Sequence, residues 1–147
     1  MDFEIRKFKN EDKTTIVEMM EEFYSSPVVM TNGSIEIFEK DFDTCLNNPT
    51  FLEGFIFYNK ENILGYAMIA KSFSTEFAKN VIYLEDLYLK AEFRSKGIIP
   101  KFIEYIKYNY PNTLLKLEVE KENLHACHCY KKCGFKELDY IEMYYLN

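Results

Sequence analysis

One apolar stretch, residues 81–89, limits the possible folds of this chain more than any other feature. A strand that is apolar on nearly every position is typical of the centre of a sheet that is covered on both faces. A basic turn follows it, and residues 98–108 then show helical spacing, with Phe102, Ile103 and Ile106 on one side. This strand, turn and helix together predict a sheet that carries helices on both faces.

The periodicity of the remaining segments predicts the element order β-α-α-β-β-β-α-β-α-β. We expect an α/β (α+β) chain with one mixed, twisted sheet of six to seven strands. No linker, repeat or low-complexity block divides the sequence, which predicts a single domain over residues 1–147. The predicted strands are residues 3–8, 55–58, 63–72, 81–89, 114–119 and 136–146, and the predicted helices are residues 12–24, 34–46, 98–108 and 123–133.

Composition excludes several classes of protein. Hydrophobic residues make up 48% of the 147 residues, which is enough for a packed core. The net charge of −6 argues against nucleic acid as a partner, and no apolar run approaches the roughly 20 residues of a membrane span. Three of the four cysteines crowd into residues 127–133, a poor disulfide framework, so a reducing cytoplasm is the expected location.

The turn after the central strand has the features of an anion site. A strand that leads into a helix N-terminus presents unpaired backbone N–H groups, which together with the helix dipole favour a phosphate. Arg94 and Lys96 add positive charge there. Glu85 and Asp86 lie a few residues back, and adjacent positions of a regular strand point to opposite faces. The sequence therefore predicts a phosphate-bearing ligand with carboxylates near its far end.

Two motifs in the second half of the chain resemble those of the GNAT superfamily of acetyl-CoA-dependent N-acetyltransferases. The first is the turn Arg/Gln-x-x-Gly-x-Gly/Ala, in which Ile99 replaces the last small residue. The second is the pattern Val-x-x-x-Asn-x-x-Ala-x-x-x-Tyr-x-x-x-Gly-Phe. The matching residues are Arg94 and Gly97 in the first motif and Val119, Asn123, Ala126, Tyr130, Gly134 and Phe135 in the second.

The resemblance implies a cofactor cleft between splayed central strands. Backbone groups of Leu87, Tyr88 and Leu89 would bind the pantetheine arm of acetyl-CoA as an added strand does. Asn123 would contact the same arm, and Tyr130 would line the cofactor and donate a proton to the CoA thiolate. The pyrophosphate would lie on the turn formed by Arg94, Ser95, Lys96, Gly97, Ile98 and Ile99.

The implied reaction is transfer of an acetyl group to a primary amine of a small molecule, polyamine-like or aminoglycoside-like, by direct attack. Glu85, with Asp86 as the alternative base, would take the proton of the amine. Its alternative role is structural, in which the carboxylate bonds a bulged backbone or pairs with a basic residue. The Tyr-rich final strand, if exposed, is also compatible with a homodimer.

Two other functions remain open from the residues. Ile99-Pro100 departs from the family turn, which suits a non-catalytic acyl-CoA-binding or regulatory module. A protein N-terminal or lysine acetyltransferase would share the same motifs. The run from His125 to Cys133 places His125, Cys129 and Cys133 on one helix face, and because a single face rarely surrounds an ion, we predict no metal.

Overall fold

The computed structural model describes residues 1–147 and contains five strands and four α-helices. Short 3₁₀ segments precede α1 and follow β4. The elements in chain order are β1 (Glu4–Lys7), α1 (Lys13–Tyr24), α2 (Ile35–Asn47), β2 (Leu52–Tyr58), β3 (Ile63–Ser74), β4 (Lys79–Leu89), α3 (Ile98–Asn109), β5 (Leu114–Leu117) and α4 (Leu124–Lys132).

All five strands form one mixed sheet in the order β1-β2-β3-β4-β5. The first four pair antiparallel with their neighbours, and β5 pairs parallel to β4. A parallel neighbour requires a crossover, which α3 provides between β4 and β5. The predicted α/β class, with a mixed sheet, is confirmed.

Two apolar clusters cover the two faces of the sheet. The first packs α1 and α2 on one face and includes Met20, Phe42 and Tyr88. The second packs α3 on the other face and includes Leu84 and Phe102, with parts of α4 at its margin. β2 and the first half of β3 are buried almost throughout, because helices cover both sides of them. The expectation of helices on both faces is therefore confirmed.

The predicted final strand is wrong. Residues 136–147 form no regular element, so the sheet has five strands instead of six to seven. Alternating tyrosines and aliphatic residues favour a strand, but this preference depends on context and does not by itself produce pairing, even beside the free outer edge of β5. These residues make no backbone pairing with β5, and two exposed side-chain contacts connect them to the rest of the protein: Lys131 to Glu137 at 2.8 Å and the Tyr140 hydroxyl to Glu76 at 3.1 Å.

None of the helices combines the length and the apolar character that crossing a bilayer would take.

Candidate active site

The central strands separate at the middle of β4. The β4–β5 pairing runs only from Val81 opposite Leu114 to Leu84 opposite Leu117. Beyond that point β4 continues to Leu89 while β5 has ended, so residues 85–89 have no neighbouring strand on that side. Leu87, Tyr88 and Leu89 lie on this open edge, as expected for an edge that an extended ligand can join.

A β-bulge lies at the start of the open edge. Met68 pairs with Asp86 and Ile69 with Leu84, so Glu85 is the extra residue in β4. The bulge reverses the pattern of the strand: Leu84 packs in the α3 cluster, whereas Tyr88, four residues later, packs in the α1–α2 cluster. Regular alternation would place these two residues on one face. The rule that adjacent side chains alternate therefore fails at Glu85, and the structure decides where each carboxylate points.

Asp86 is a buried carboxylate held by two tyrosines. Its oxygens accept hydrogen bonds from the Tyr24 hydroxyl at 3.0 Å and from the Tyr66 hydroxyl at 2.9 Å, and only 4% of the residue is exposed. Burial raises the pKa of Asp86 to about 6, against the two hydrogen bonds, which lower it. This arrangement ties the end of α1 and the middle of β3 to the bulge.

Glu85 is exposed to solvent at the point where β4 and β5 separate. Partial burial by the surrounding protein raises the pKa of Glu85 to about 7, and the negative charges of Asp86, Glu118 and Glu142 add to the effect. No basic side chain pairs with it. The structure therefore does not show Glu85 in an ion pair. Its carboxyl is accessible and has a pKa near neutral.

Backbone N–H groups without acceptors line the turn after β4. The five consecutive amides of residues 95–99 donate to no backbone or side-chain acceptor, and hydrogen bonding resumes where Lys101 N–H donates to Gly97 at 3.3 Å. Ser95 and Gly97 have positive φ values of 60° and 78°, an alternation that turns successive amides toward one side. Such a concave run of free donors at a helix start binds anions.

The charged side chains of the turn have separate positions. The Arg94 Nε donates to the carbonyl of Leu89 at 2.9 Å, which fastens the turn to the end of β4. The Lys96 ammonium lies 5.5 Å from the centre of the Phe93 ring. The Ser95 hydroxyl lies 3.4 Å from the Nε2 of His125, so α4 borders the same turn. The sequence placed His125 only in the Cys/His run and gave no signal for this contact.

Gly97 and the two residues after it fit an approaching phosphate group. A Cβ at Gly97 would meet no atom within 4 Å, so the space above its backbone is open. Ile98 is buried, and the partly buried side chain of Ile99 packs at the margin of the same α3 cluster. Pro100 lacks an N–H in the first turn of α3, where a proline costs little.

Asn123 and Tyr130 belong to α4 and its N-terminal cap, the element that borders the turn through His125. Asn123 caps the helix, its side chain accepting from the Ala126 N–H at 3.2 Å. Tyr130 is half-buried against Phe135, with ring centres 6.0 Å apart, and no hydrogen bond ties up its hydroxyl. Burial raises the pKa of Tyr130, which keeps the phenol protonated at neutral pH.

Sequence reasoning missed the tyrosines that hold Asp86. Tyr24 is the last residue of α1 and Tyr66 lies in β3, 62 and 20 positions from Asp86, so no local spacing connects them. The only signal available was an uncompensated carboxylate inside an apolar strand, which implies distant partners without naming them.

The four cysteines are free, and no three His, Cys, Asp or Glu side chains converge as a metal site would require. Whether the protein works without a metal stays a prediction.

Comparison with known proteins agrees with this architecture. The model of the acetyltransferase (GNAT) family matches residues 15–135. A stretch of 83 residues is 35% identical to thialysine N-epsilon-acetyltransferase of Bos taurus and covers 54% of this chain and 48% of that protein. The match thus spans about half the length of this curated relative.

Solved structures share the fold at low sequence identity. A possible acetyltransferase of Clostridium difficile 630 has a TM-score of 0.82, with 21% identity over 99% of this chain and 97% of that one. The aminoglycoside N-acetyltransferase AAC(6')-Iy, solved with CoA, has a TM-score of 0.79, with 15% identity over 99% of this chain and 95% of that one. With the family match over most of its length, the chain belongs to the GNAT acetyltransferase family, a class of acyltransferases.

Proposed function

We propose that this protein, as one catalytic domain over residues 1–147, transfers an acetyl group from acetyl-CoA to a primary amine of a small molecule. The observation that carries the proposal is the run of five free amides at residues 95–99, directly after an unpaired edge of β4. A pyrophosphate needs the first feature, and an extended amide-containing arm needs the second.

In this proposal the turn and the open edge bind the cosubstrate. The amides of Ser95, Lys96, Gly97, Ile98 and Ile99 hold the pyrophosphate. The backbone of Leu87, Tyr88 and Leu89 binds the pantetheine arm, with Asn123 opposite. Arg94 acts mainly through its bond to Leu89, which fixes the turn relative to the strand end. The bound thioester supplies the activated acetyl group.

Glu85 and Tyr130 perform the proton transfers. Glu85, with its raised pKa of about 7, is a stronger base than an ordinary carboxylate and is half ionised near neutral pH. It takes the proton from the ammonium before the amine nitrogen attacks. Tyr130 keeps its proton until the C–S bond breaks and then gives it to the departing sulfur. Backbone N–H groups in the unpaired part of β4 polarise the thioester carbonyl.

Carboxylates around the cleft favour a substrate with more than one positive charge. Asp41 of α2, half-buried, also raises the pKa of Glu85, as do Glu118 and Glu142. A cation bound among these groups relieves their mutual repulsion, because opposite charges favour the ionised forms. We therefore propose a polyamine-like or aminoglycoside-like amine. The substrate named for the bovine relative is likewise an amine.

A non-catalytic acyl-CoA-binding module was suggested by Ile99-Pro100. The partly buried side chain of Ile99 packs against the α3 cluster, which weakens the steric argument for the module, and an exposed, unpaired Glu85 favours catalysis. A protein acetyltransferase remains the second candidate, since nothing on the open cleft side excludes a lysine side chain. We further propose a cytoplasmic location and no metal requirement.

Two measurements test the proposal. Calorimetric titration with CoA measures binding, and a thiol-release assay with acetyl-CoA over diamines, polyamines, aminoglycosides and a lysine peptide measures turnover. We expect binding and turnover with a polycationic small amine. Binding without turnover on any amine would favour the module, turnover on the peptide alone would favour the protein acetyltransferase, and no binding would contradict the proposal.

A further inference from the structure

Two tyrosine hydroxyls and one buried carboxylate form a hydrogen-bonded group directly beside Glu85, and the proton transfers proposed above do not use it. Tyr24 donates to one oxygen of Asp86 at 3.0 Å, and Tyr66 donates to the other at 2.9 Å. Asp86 is only 4% exposed and Tyr66 is fully buried. We call Tyr24, Tyr66 and Asp86 the carboxylate clamp. Its carboxylate lies one residue along the strand from the accessible carboxyl of the bulge.

The packing of both tyrosine rings holds the two hydroxyl groups in place. The Tyr24 ring lies 5.2 Å from the ring of Phe38 in α2, and the Tyr66 ring lies 5.7 Å from that of Tyr88 in β4. A side chain that its neighbours hold in one rotamer can position a hydrogen-bond partner accurately. The clamp therefore fixes the side chain of Asp86 and, with it, the adjoining backbone of β4.

The hydrogen bonds of the clamp also act on charge. Burial raises the pKa of both phenols, so each hydroxyl keeps its proton and serves Asp86 as a donor. Burial raises the pKa of Asp86 as well, and the two hydroxyls oppose this effect because donors favour the ionised carboxylate. After burial, the charge of Asp86 contributes most to the raised pKa of Glu85. Removal of a donor is therefore expected to leave a weaker base one residue away.

Other ionisable groups face the two carboxyls from the neighbouring elements. Beyond burial, Asp41 of α2 raises the pKa of both Asp86 and Glu85, and Glu118 after β5 and Glu142 near the C-terminus raise that of Glu85. These groups are themselves carboxyls, so their charges oppose ionisation. No basic side chain pairs with either carboxyl of the bulge. The two tyrosine hydroxyls are thus the groups that favour the charge of Asp86.

From these observations we propose that Tyr24 and Tyr66 are positioning residues for acetyl transfer, which keep Asp86 ionised beside Glu85 and hold the bulge that presents this base to the amine. The proposal rests on the proposed function, because it takes Glu85 as the general base. It gives Asp86 a different role from that of a base. Both oxygens of Asp86 accept from hydroxyl groups, and its burial leaves almost no surface that an amine could reach.

Titration of the side-chain carboxyl carbons by NMR tests the effect on charge without depending on catalysis. The Glu85 resonance is assigned by its loss in Glu85→Gln. We expect this carboxyl to titrate with a pKa of about 7 in the wild type, and at least about half a pH unit lower in Tyr24→Phe and in Tyr66→Phe. Tyr110→Phe is the matched control, because Tyr110 donates to the buried Glu53 on β2, which β3 separates from β4. It should leave the titration unchanged.

The pH profile of acetyl transfer, with spermidine as the amine, tests the effect on catalysis. The pH at which kcat/KM rises should fall by the same amount in both tyrosine variants. On the high-pH plateau, Tyr24→Phe should lower kcat/KM by at least about threefold, because a weaker base accepts the proton less readily, but should have no effect in a Glu85→Gln background. A general loss of structure would lower the plateau in both backgrounds and leave the pH of the rise unchanged. Asp86→Asn should keep the rise, at lower pH, whereas it would remove the rise if Asp86 were the base.

The outcomes separate this proposal from the proposed function. A lower titration of Glu85 in both tyrosine variants, together with a lower pH of the rise, supports the proposal. An unchanged titration in those variants, an equal change in Tyr110→Phe, or a pH rise that Asp86→Asn removes would each overturn it while Glu85→Gln still abolishes the rise. Acetyl transfer that Glu85→Gln leaves unchanged would contradict Glu85 as the base, and the positioning role would then be wrong even with a shifted titration.

Discussion

The bulge at Glu85 shows how one extra residue alters the chemistry of a strand. Without it, Leu84 and Tyr88 would share a face, and the carboxylates beside them would fall into the two apolar clusters. With it, Asp86 meets two tyrosine hydroxyls and Glu85 reaches the cleft. The buried carboxylate connects α1, β3 and β4 by hydrogen bonds, and the accessible one is available for catalysis.

The variant Glu85→Gln tests whether Glu85 acts as the general base. We expect kcat to fall by about 10²- to 10⁴-fold, the usual contribution of a general base. In the wild type, kcat/KM should rise with pH through about 7, because the carboxyl must be ionised to accept a proton, and this rise should disappear in the variant. The pH profile of acetyl transfer measures both. Glu61→Gln, in the exposed β2–β3 turn, is the control, and an equal loss there would contradict the assignment.

The variant Tyr130→Phe tests whether Tyr130 acts as the general acid that protonates the CoA thiolate. Its phenol has a raised pKa and no partner, so the variant removes one proton donor without breaking a hydrogen bond. We expect kcat to fall by tenfold or more while the dissociation constant of CoA, measured by calorimetry, stays unchanged. Tyr108→Phe on the surface of α3 should leave both unaffected. An unchanged kcat at saturating amine would remove Tyr130 from the mechanism.

At the scale of elements, the site lies where one strand, one turn and two helix ends meet. β4 continues past the end of β5, the turn exposes its amides, and α4 borders the turn through His125. Each element is ordinary by itself. The cleft arises because β5 is only four residues long, whereas β4 has eleven.

Gly97→Ala tests the turn. With φ at 78°, an alanine there costs about 1–2 kcal/mol and shifts the amides that surround it. Gly134→Ala is a matched control, since Gly134 has a φ of 95° and equally open space after α4. We expect similar losses in the free energy of unfolding from the two variants but weaker CoA binding, by calorimetry, only for Gly97→Ala. Equal loss of affinity in both would show that strain alone is responsible.

At the scale of the whole molecule, Asp86 connects a helix layer to the sheet. Its burial raises the free energy of the ionised carboxyl. It joins α1 and β3 to β4 through hydroxyl groups, within a sheet that is otherwise apolar at this level. Because burial favours the protonated form, the ionised carboxyl weakens the fold.

Asp86→Asn tests this cost through the pH dependence of stability. The folded pKa of about 6 lies above the ordinary value of 3.8, so the native state binds the proton more tightly than the unfolded chain does. The contribution of Asp86 is therefore fully present below pH 4 and is lost as pH rises through 6. Relative to the wild type, the variant should gain up to about 3 kcal/mol in free energy of unfolding between pH 4 and pH 7, since each unit is 1.36 kcal/mol.

Urea unfolding at the two pH values measures that difference. Asp43→Asn, at a half-exposed carboxylate that pairs with Lys13 on the helix surface, is the control for the loss of a carboxylate elsewhere in the fold. A constant difference between Asp86→Asn and the wild type would mean that Asp86 titrates normally in the fold.

The sequence by itself determined the class of fold and the location of the turn. Both depend on local patterns: a continuously apolar strand, a glycine at a left-handed position, and capping residues such as Ser34 and Asn123. Tertiary structure alone decided three things: the bulge at Glu85, the tyrosine partners of Asp86, and the loss of the expected strand at residues 136–146. Each depends on which strand edge or side chain a distant part of the chain presents, and a local pattern carries no information about such neighbours.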